Sequence, residues 1–263
     1  LLTGCAKAPE PVEIAATTLP VYEFTQALCR GTDLSVGRLV TESVSCLHDY
    51  SLNVNQVRLA EQAEALVLSG AGLEDFMEDL LTGKPSIDAS QRIPLLEGEE
   101  HDHEEHEEHE GHTHEFDPHI WLSPENAKIM AQNICLGLTR QYPQWETVFK
   151  DNLQGLLARL EDLEQYGEET LKTLSCRELL TFHDGFSYFA QAFDLDILAA
   201  LEEESGSEAS AKELIGLIRL ARDHALPAVF VEKNGGTAAA DILCRETGAK
   251  KATLDMAMAG DSY

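Results

Sequence analysis

The segment Trp145–Leu174 reads WETVFKDNLQGLLARLEDLEQYGEETLKTL, and it decides the fold. It has no proline and only two glycines, and its leucines recur at spacings of three, four or their multiples, as in an amphipathic helix. At ~1.5 Å per residue such a helix is about 45 Å long, enough to bridge two lobes. The pattern predicts a linking helix at residues 143–174, and a core helix within one domain is the alternative.

Strand and helix patterns alternate on both sides of this helix. Four strands are predicted in the second half: Glu178–Phe182, Ile197–Leu201, Ala228–Val231 and Ala252–Leu254. Three are predicted in the first half: Glu13–Leu19, Leu34–Val40 and Ala65–Leu68. Apolar runs separated by helical stretches indicate parallel or mixed α/β sheets. We therefore predict an α/β fold with an N-terminal lobe at residues 13–142 and a C-terminal lobe at 175–263, each a small, mostly parallel sheet flanked by helices.

A tract dense in histidine and carboxylate, HDHEEHEEHEGHTHEFDPHIW, runs from His101 to Trp121. Imidazole and carboxylate bind divalent metals of intermediate hardness. The composition cannot pack a core, so we predict a disordered loop at residues 97–116 that collects metal at weak auxiliary sites. A passive acidic segment is the alternative. The auxiliary ligands would be His101, His103, His106, His109, His112 and His114.

The net charge of −28 argues against nucleic acid as a partner, because a polyanion would be repelled. It suits a protein that attracts cations, although solubility alone explains it equally well. Leu2-Thr3-Gly4-Cys5 resembles a bacterial lipobox, so residues 1–12 are predicted to be a lipobox and tether, with lipidation at Cys5. This would anchor the protein at the outer face of the bacterial cytoplasmic membrane, after removal of a signal peptide that the sequence does not include.

Five further cysteines could oxidise in an exported protein. Two disulfides and one free thiol are predicted, and pairing within each lobe gives Cys29–Cys46 and Cys176–Cys244 with Cys135 left over. The sequence has no C-x-x-C pair, which argues against a thiolate zinc site.

Four residues other than the six auxiliary histidines are candidate ligands. His48 and His183 follow predicted strands, and ligands of open α/β sheets gather at the carboxyl ends of strands. His119 is the last histidine of the tract and lies where order is expected to return. Asp261 lies in a loop after the last strand, where it could be a ligand or equally a helix N-cap.

Four motifs together resemble the metal-binding proteins of bacterial zinc and manganese ABC importers. The resemblance covers nearly the whole chain and implies two lobes, one long rigid helix and a metal site in the cleft. By this resemblance the ligands are His48, His119, His183 and Asp261. Two features depart from it: Leu47 replaces the usual proline before His48, and a final helix expected after Tyr263 is missing. The motifs are DPHIWL at Asp117–Leu122, FHDGFSYF at Phe182–Phe189, which is similar to F-H-D-A-F-x-Y-F, FVE at Phe230–Glu232, and ETGA at Glu246–Ala249.

The resemblance implies an extracytoplasmic, monomeric component that captures Zn(II) and delivers it to a permease and its ATPase. Three nitrogens and one carboxylate suit tetrahedral zinc, whereas manganese prefers harder sites. Manganese members of the family have glutamate where this chain has His183. Hydrogen-bond partners for the ligands are expected from Asp49, Asp184 and Glu232.

Three other functions remain as alternatives. A manganese- or iron-binding protein of the same family is one, and a zinc-buffering surface adhesin is another. An enzyme is the third and is not expected, because four protein ligands leave no open metal position for water and neither H-E-x-x-H nor G-x-S-x-G is present.

Overall fold

The computed structural model describes residues 11–42, 47, 50–98, 116–201, 210–233, 235–258, 260 and 263. Two four-stranded parallel sheets, each flanked by helices, are joined by one long helix. The predicted two-lobe α/β architecture is therefore confirmed. No helix in the described part of the chain is long and apolar enough to cross a bilayer.

The N-terminal sheet has the order β2-β1-β3-β4, and all its pairs are parallel. Its strands are β1 Ile14–Ala16, β2 Val36–Arg38, β3 Ala65–Leu68 and β4 Ser86–Asp88. Every residue of β3 is buried, as in a parallel strand covered on both faces. The sequence prediction extended the first strand too far. Helix α1 instead begins at Leu19. Thr18 has an extended backbone and is the N-cap, and Pro20 lies in the first turn of the helix, where proline is favoured.

Four helices surround this sheet. They are α1 Leu19–Leu28, α2 Val54–Gln62, α3 Glu78–Leu81 and α4 Pro124–Gln141. Helix α4 begins at Pro124 with Ser123 as its N-cap, because the Ser123 hydroxyl accepts a hydrogen bond from the Asn126 backbone N–H at 3.4 Å.

The linking helix α5 spans Glu146–Leu171, or 26 residues, which is about 39 Å at ~1.5 Å per residue. Its first half buries Phe149, Leu156 and Leu160 in the N-terminal core. Near its other end, Gly167 lies so close to Phe193 of the C-terminal lobe that a Cβ would overlap the ring. One helix therefore packs against both lobes.

The C-terminal sheet is also parallel, with the order β6-β5-β7-β8. Its strands are β5 Glu178–Phe182, β6 Asp196–Ala200, β7 Ala228–Glu232 and β8 Lys250–Leu254, and its helices are α6 Ser187–Ala192, α7 Ala211–Asp223 and α8 Ala238–Thr247. The bounds of β5 match the prediction. Because the strands are parallel, their carboxyl ends meet at one edge of the sheet, which faces the other lobe.

The main hydrophobic core includes residues from both lobes. Phe186, Tyr188, Met256 and Met258 belong to the same buried cluster as the N-terminal core. The indole Nε1 of Trp121 donates a hydrogen bond to the Met256 carbonyl at 2.7 Å. The lobes are thus joined by packing and hydrogen bonds as well as by α5.

One of the two predicted disulfides is not present. Cys29, Cys135, Cys176 and Cys244 are free thiols, so Cys176–Cys244 is absent. The predicted Cys29–Cys46 pair includes Cys46, which lies outside the described residues. Cys29 is packed in the core, where burial raises the thiol pKa to about 12. The Cys176 thiol instead approaches the Glu178 carbonyl at 3.7 Å.

Candidate metal centre

Two of the four predicted ligands meet between the lobes. His119 directly precedes a one-turn 3₁₀ helix, Ile120–Leu122, and His183 directly follows β5. Their ring centroids are 5.4 Å apart with the planes at 83°, and the residues are 3% and 6% exposed. Each imidazole is therefore shielded from bulk water and adjacent to the other, as ligands of one ion would be.

The carboxylate of Asp117 orients the His119 ring. Its Oδ1 lies 2.8 Å from His119 Nδ1 and accepts the His119 backbone N–H at 2.9 Å. An ionised carboxylate can only accept, so Nδ1 carries the proton and Nε2 keeps a lone pair that is available to a metal. Asp117 is part of the DPHIWL motif, but this role was not predicted from the sequence. The sequence signal that could have indicated this role is the position of Asp117 two residues before His119. From there one carboxylate can reach both the backbone nitrogen and the ring of His119.

Aromatic side chains enclose the two imidazoles. The Trp121 ring lies edge-on to His119, with centroids 5.4 Å apart, and Phe186 lies edge-on to His183 at 6.5 Å. Both aromatic residues are buried. They restrict rotation of the imidazoles and lower the local dielectric, which strengthens the attraction of a nearby carboxylate for a bound cation.

Glu232 adds a buried carboxyl group at the end of β7. It is 3% exposed, and burial raises its pKa to about 7, while the nearby His119 opposes this shift and Asp255 adds to it. A cation bound beside it would favour its ionised form. Of the other two predicted partners, Asp184 is partly exposed beside His183, and Asp49 lies outside the described residues.

The remaining predicted ligands, His48 and Asp261, also lie outside the described residues, as do the six auxiliary histidines. Within the part that is described, no three histidine, cysteine or acidic side chains form a metal-binding group. The residues around Asp261 nevertheless contact the N-terminal lobe. Arg38 donates to the Gly260 carbonyl at 3.1 Å, and the Tyr263 ring packs edge-on against Phe24 at 5.0 Å. These contacts hold Gly260 and Tyr263 against the lobe that carries His119.

Two parallel-sheet lobes joined by one long helix, with buried imidazoles meeting between them, define a two-lobed protein of the metal-binding, substrate-binding class. The family model ZnuA, described as zinc-uptake complex component A, periplasmic, matches residues 14–263. The chain therefore belongs to this family.

Known relatives agree with this assignment. The high-affinity zinc uptake system protein ZnuA of Bacillus subtilis is 30% identical over 252 residues, covering 94% of this chain and 78% of the relative. The zinc-binding lipoprotein AdcA of Streptococcus pneumoniae is 28% identical over 97% of this chain, which spans only 52% of AdcA.

Solved structures agree with the fold. A crystal structure of ZnuA has a TM-score of 0.79 at 31% identity, covering 93% of this chain and 92% of that one. Zn(II)-bound AdcA from Streptococcus pneumoniae has a TM-score of 0.78 at 27% identity, covering 96% of this chain and 52% of AdcA.

Proposed function

We propose that this protein captures Zn(II) outside the cytoplasm and delivers it to an ABC permease driven by its ATPase. The observation that carries the proposal is the buried contact between His119 and His183, with Asp117 fixing the proton on His119 Nδ1. Family membership and the names of the zinc-binding relatives support the same cargo.

One tight site would be formed by His48, His119, His183 and Asp261. Zinc takes nitrogen and carboxylate oxygen ligands in a tetrahedron at about 2.0–2.2 Å. Two adjacent imidazoles at nearly perpendicular planes are compatible with two corners of such a tetrahedron. Because all four positions would be protein ligands, no metal position is left for a catalytic water, and we propose a carrier rather than an enzyme.

The histidine-rich tract would supply additional weak sites next to the cleft. Its flanks are close together, since Glu97 and Phe116 form an isolated antiparallel bridge and the Asp117 backbone N–H donates to the Leu96 carbonyl at 2.9 Å. The described ends of the tract, Glu97 and Phe116, therefore meet three residues before His119. Ions collected there would be released close to the tight site.

We also propose that the protein acts as a monomer held at the outer face of the cytoplasmic membrane by a lipid on Cys5. The lipobox-like Leu2-Thr3-Gly4-Cys5 supports this anchor, as does the naming of a relative as a zinc-binding lipoprotein. A short tether would keep the cleft within reach of a permease.

The function is tested by competitive titration of Zn(II) and Mn(II) against a chelator. H119A and H183A should each lose the tight zinc site, with affinity at least about 100-fold lower, since each removes a direct ligand. The matched control is H224A, because His224 is a histidine of the same lobe as His183 that bonds Glu178 at 3.0 Å instead of facing the cleft. Tight zinc binding retained by both H119A and H183A would refute the site, and tighter binding of Mn(II) than of Zn(II) would refute the cargo.

A further inference from the structure

Gly185, two residues after His183, lies close to three side chains of the candidate metal centre, those of His119, His183 and Met256. A Cβ at this position would lie 2.6 Å from Met256 Cε, 2.9 Å from His183 Cδ2 and 3.0 Å from His119 Cε1. Carbon atoms in favourable contact are about 3.5–4.0 Å apart, so there is room here for hydrogen only. The Gly185 backbone is outside the left-handed region. Contact, rather than backbone conformation, is therefore what requires glycine.

The two ring atoms show which part of each imidazole is involved. Cε1 of His119 and Cδ2 of His183 are each bonded to the Nε2 of their own ring. In His119 the other nitrogen, Nδ1, is held by Asp117. The space beside Gly185 therefore adjoins the ring edges that carry the Nε2 atoms.

Met256 occupies the same space from the other side. Its side chain is 1% exposed, and its carbonyl is held by Trp121 Nε1 at 2.7 Å. It lies between β8 and Gly260, whose carbonyl is bound by Arg38. The backbone of Met256 is thus held against the N-terminal lobe by Trp121.

We propose that Gly185 and Met256 are a matched pair of positioning residues that sets the spacing of the His119 and His183 rings. The absent side chain at 185 lets the Met256 methyl group pack against both ring edges. The loop after β8 thereby holds the two imidazoles at the separation that zinc requires. The inference rests on the proposed zinc-binding function and adds two residues that bind no metal themselves.

The test is a double-mutant cycle with G185A, M256A and G185A/M256A. Zinc affinity is measured by chelator competition, and the absorption spectrum of bound Co(II) reports the ligand geometry. G185A should weaken zinc binding by about tenfold or more, the size typical of losing support around a ligand, and should change the Co(II) spectrum. M256A should weaken binding in the original background but strengthen it severalfold in the G185A background, because it removes the closest of the three collisions. The control is G155A on α5, where a Cβ meets no heavy atom within 4 Å, and its affinity and spectrum should be unchanged.

Thermal unfolding of the metal-free variants shows whether each one folds. A folded G185A protein that binds zinc and Co(II) like the original would overturn the pairing. An M256A effect of the same sign and size in both backgrounds would also overturn it. If G185A does not fold, the G185A/M256A variant is compared with it: recovery of folding and zinc binding in the double variant supports the pairing, and a double variant that also fails to fold overturns it. Failure of the unmodified protein to bind zinc would instead refute the proposed function, and the pairing with it.

Discussion

Replacing Asp117 tests how far the orientation of one imidazole controls zinc affinity. Its Oδ1 is 2.8 Å from His119 Nδ1 and 2.9 Å from the His119 backbone nitrogen, and the carboxylate is buried. D117A removes both hydrogen bonds. The His119 ring can then rotate, and its proton can move to Nε2, the atom that must bind metal.

The expected loss follows from these two contacts. Removing a carboxylate that orients a metal-binding histidine lowers metal affinity by about 10–100-fold, or roughly 1.4–2.7 kcal/mol. D117N keeps an oxygen that can accept both hydrogen bonds but loses the negative charge. Its affinity should therefore lie between those of D117A and the original protein.

The assay is zinc competition with a chelator at neutral pH, with unfolding of the metal-free proteins measured in parallel. D223A, which removes an exposed carboxylate at the end of α7, is the control and should bind like the original. If D117A folds and binds zinc as tightly as D223A, Asp117 does not orient His119 for metal, and the reasoning from this hydrogen bond is wrong.

Three other predictions concern different parts of the fold. Burial raises the pKa of Glu74 to about 7, against hydrogen bonds from Thr17 and Gly70 that lower it. Between pH 4.5 and 7 the Glu74 carboxyl group ionises only in the unfolded state. It should therefore reduce the free energy of unfolding by up to about 3 kcal/mol as the pH rises through that window. Urea unfolding of E74Q at several pH values should lack this pH dependence. Lys128 on α4 lies 2.9 Å from Glu161 and 2.7 Å from Glu164 on α5. K128M should lower the free energy of unfolding by about 1 kcal/mol in low salt and by less in high salt, because salt screens the ion pairs. An equal loss at both salt concentrations would contradict an electrostatic role. Deleting Glu99–His114 should lower the zinc stoichiometry in calorimetry but leave one tight site, and loss of that site would make the tract the primary one.

Much of the fold could be predicted because it depends on local patterns. Helix α5 and strand β5 were predicted from apolar spacing along one segment, which reflects burial of one face. Strand β4 was missed, since its three residues are partly exposed and have no apolar run; it forms a strand only through parallel pairing with β3. The Cys176–Cys244 disulfide was wrong because sharing a lobe does not bring two thiols within bonding distance.

The candidate site likewise contains residues that could be predicted from the sequence and others that could not. His183 was chosen because a strand ends there, and ligands of open α/β sheets gather at the carboxyl ends of strands. His119 was chosen because order was expected to resume there, and the packing of the two lobes brings it beside His183. The role of Asp117 required the backbone conformation that places one oxygen against both nitrogens of His119. Gly185 and Met256 lie in the loops after β5 and β8, which are distant in the sequence. The spacing of residues along the chain therefore could not predict their contact.

The sequence by itself determined two α/β lobes, the helix between them and the positions of two candidate ligands, His119 and His183, because periodicity and local motifs record which residues are buried and where strands end. Only the tertiary structure decided which side chains orient and space those imidazoles. Such contacts depend on separations of a few ångströms between distant segments, and these are fixed by sheet register and core packing rather than by the order of residues.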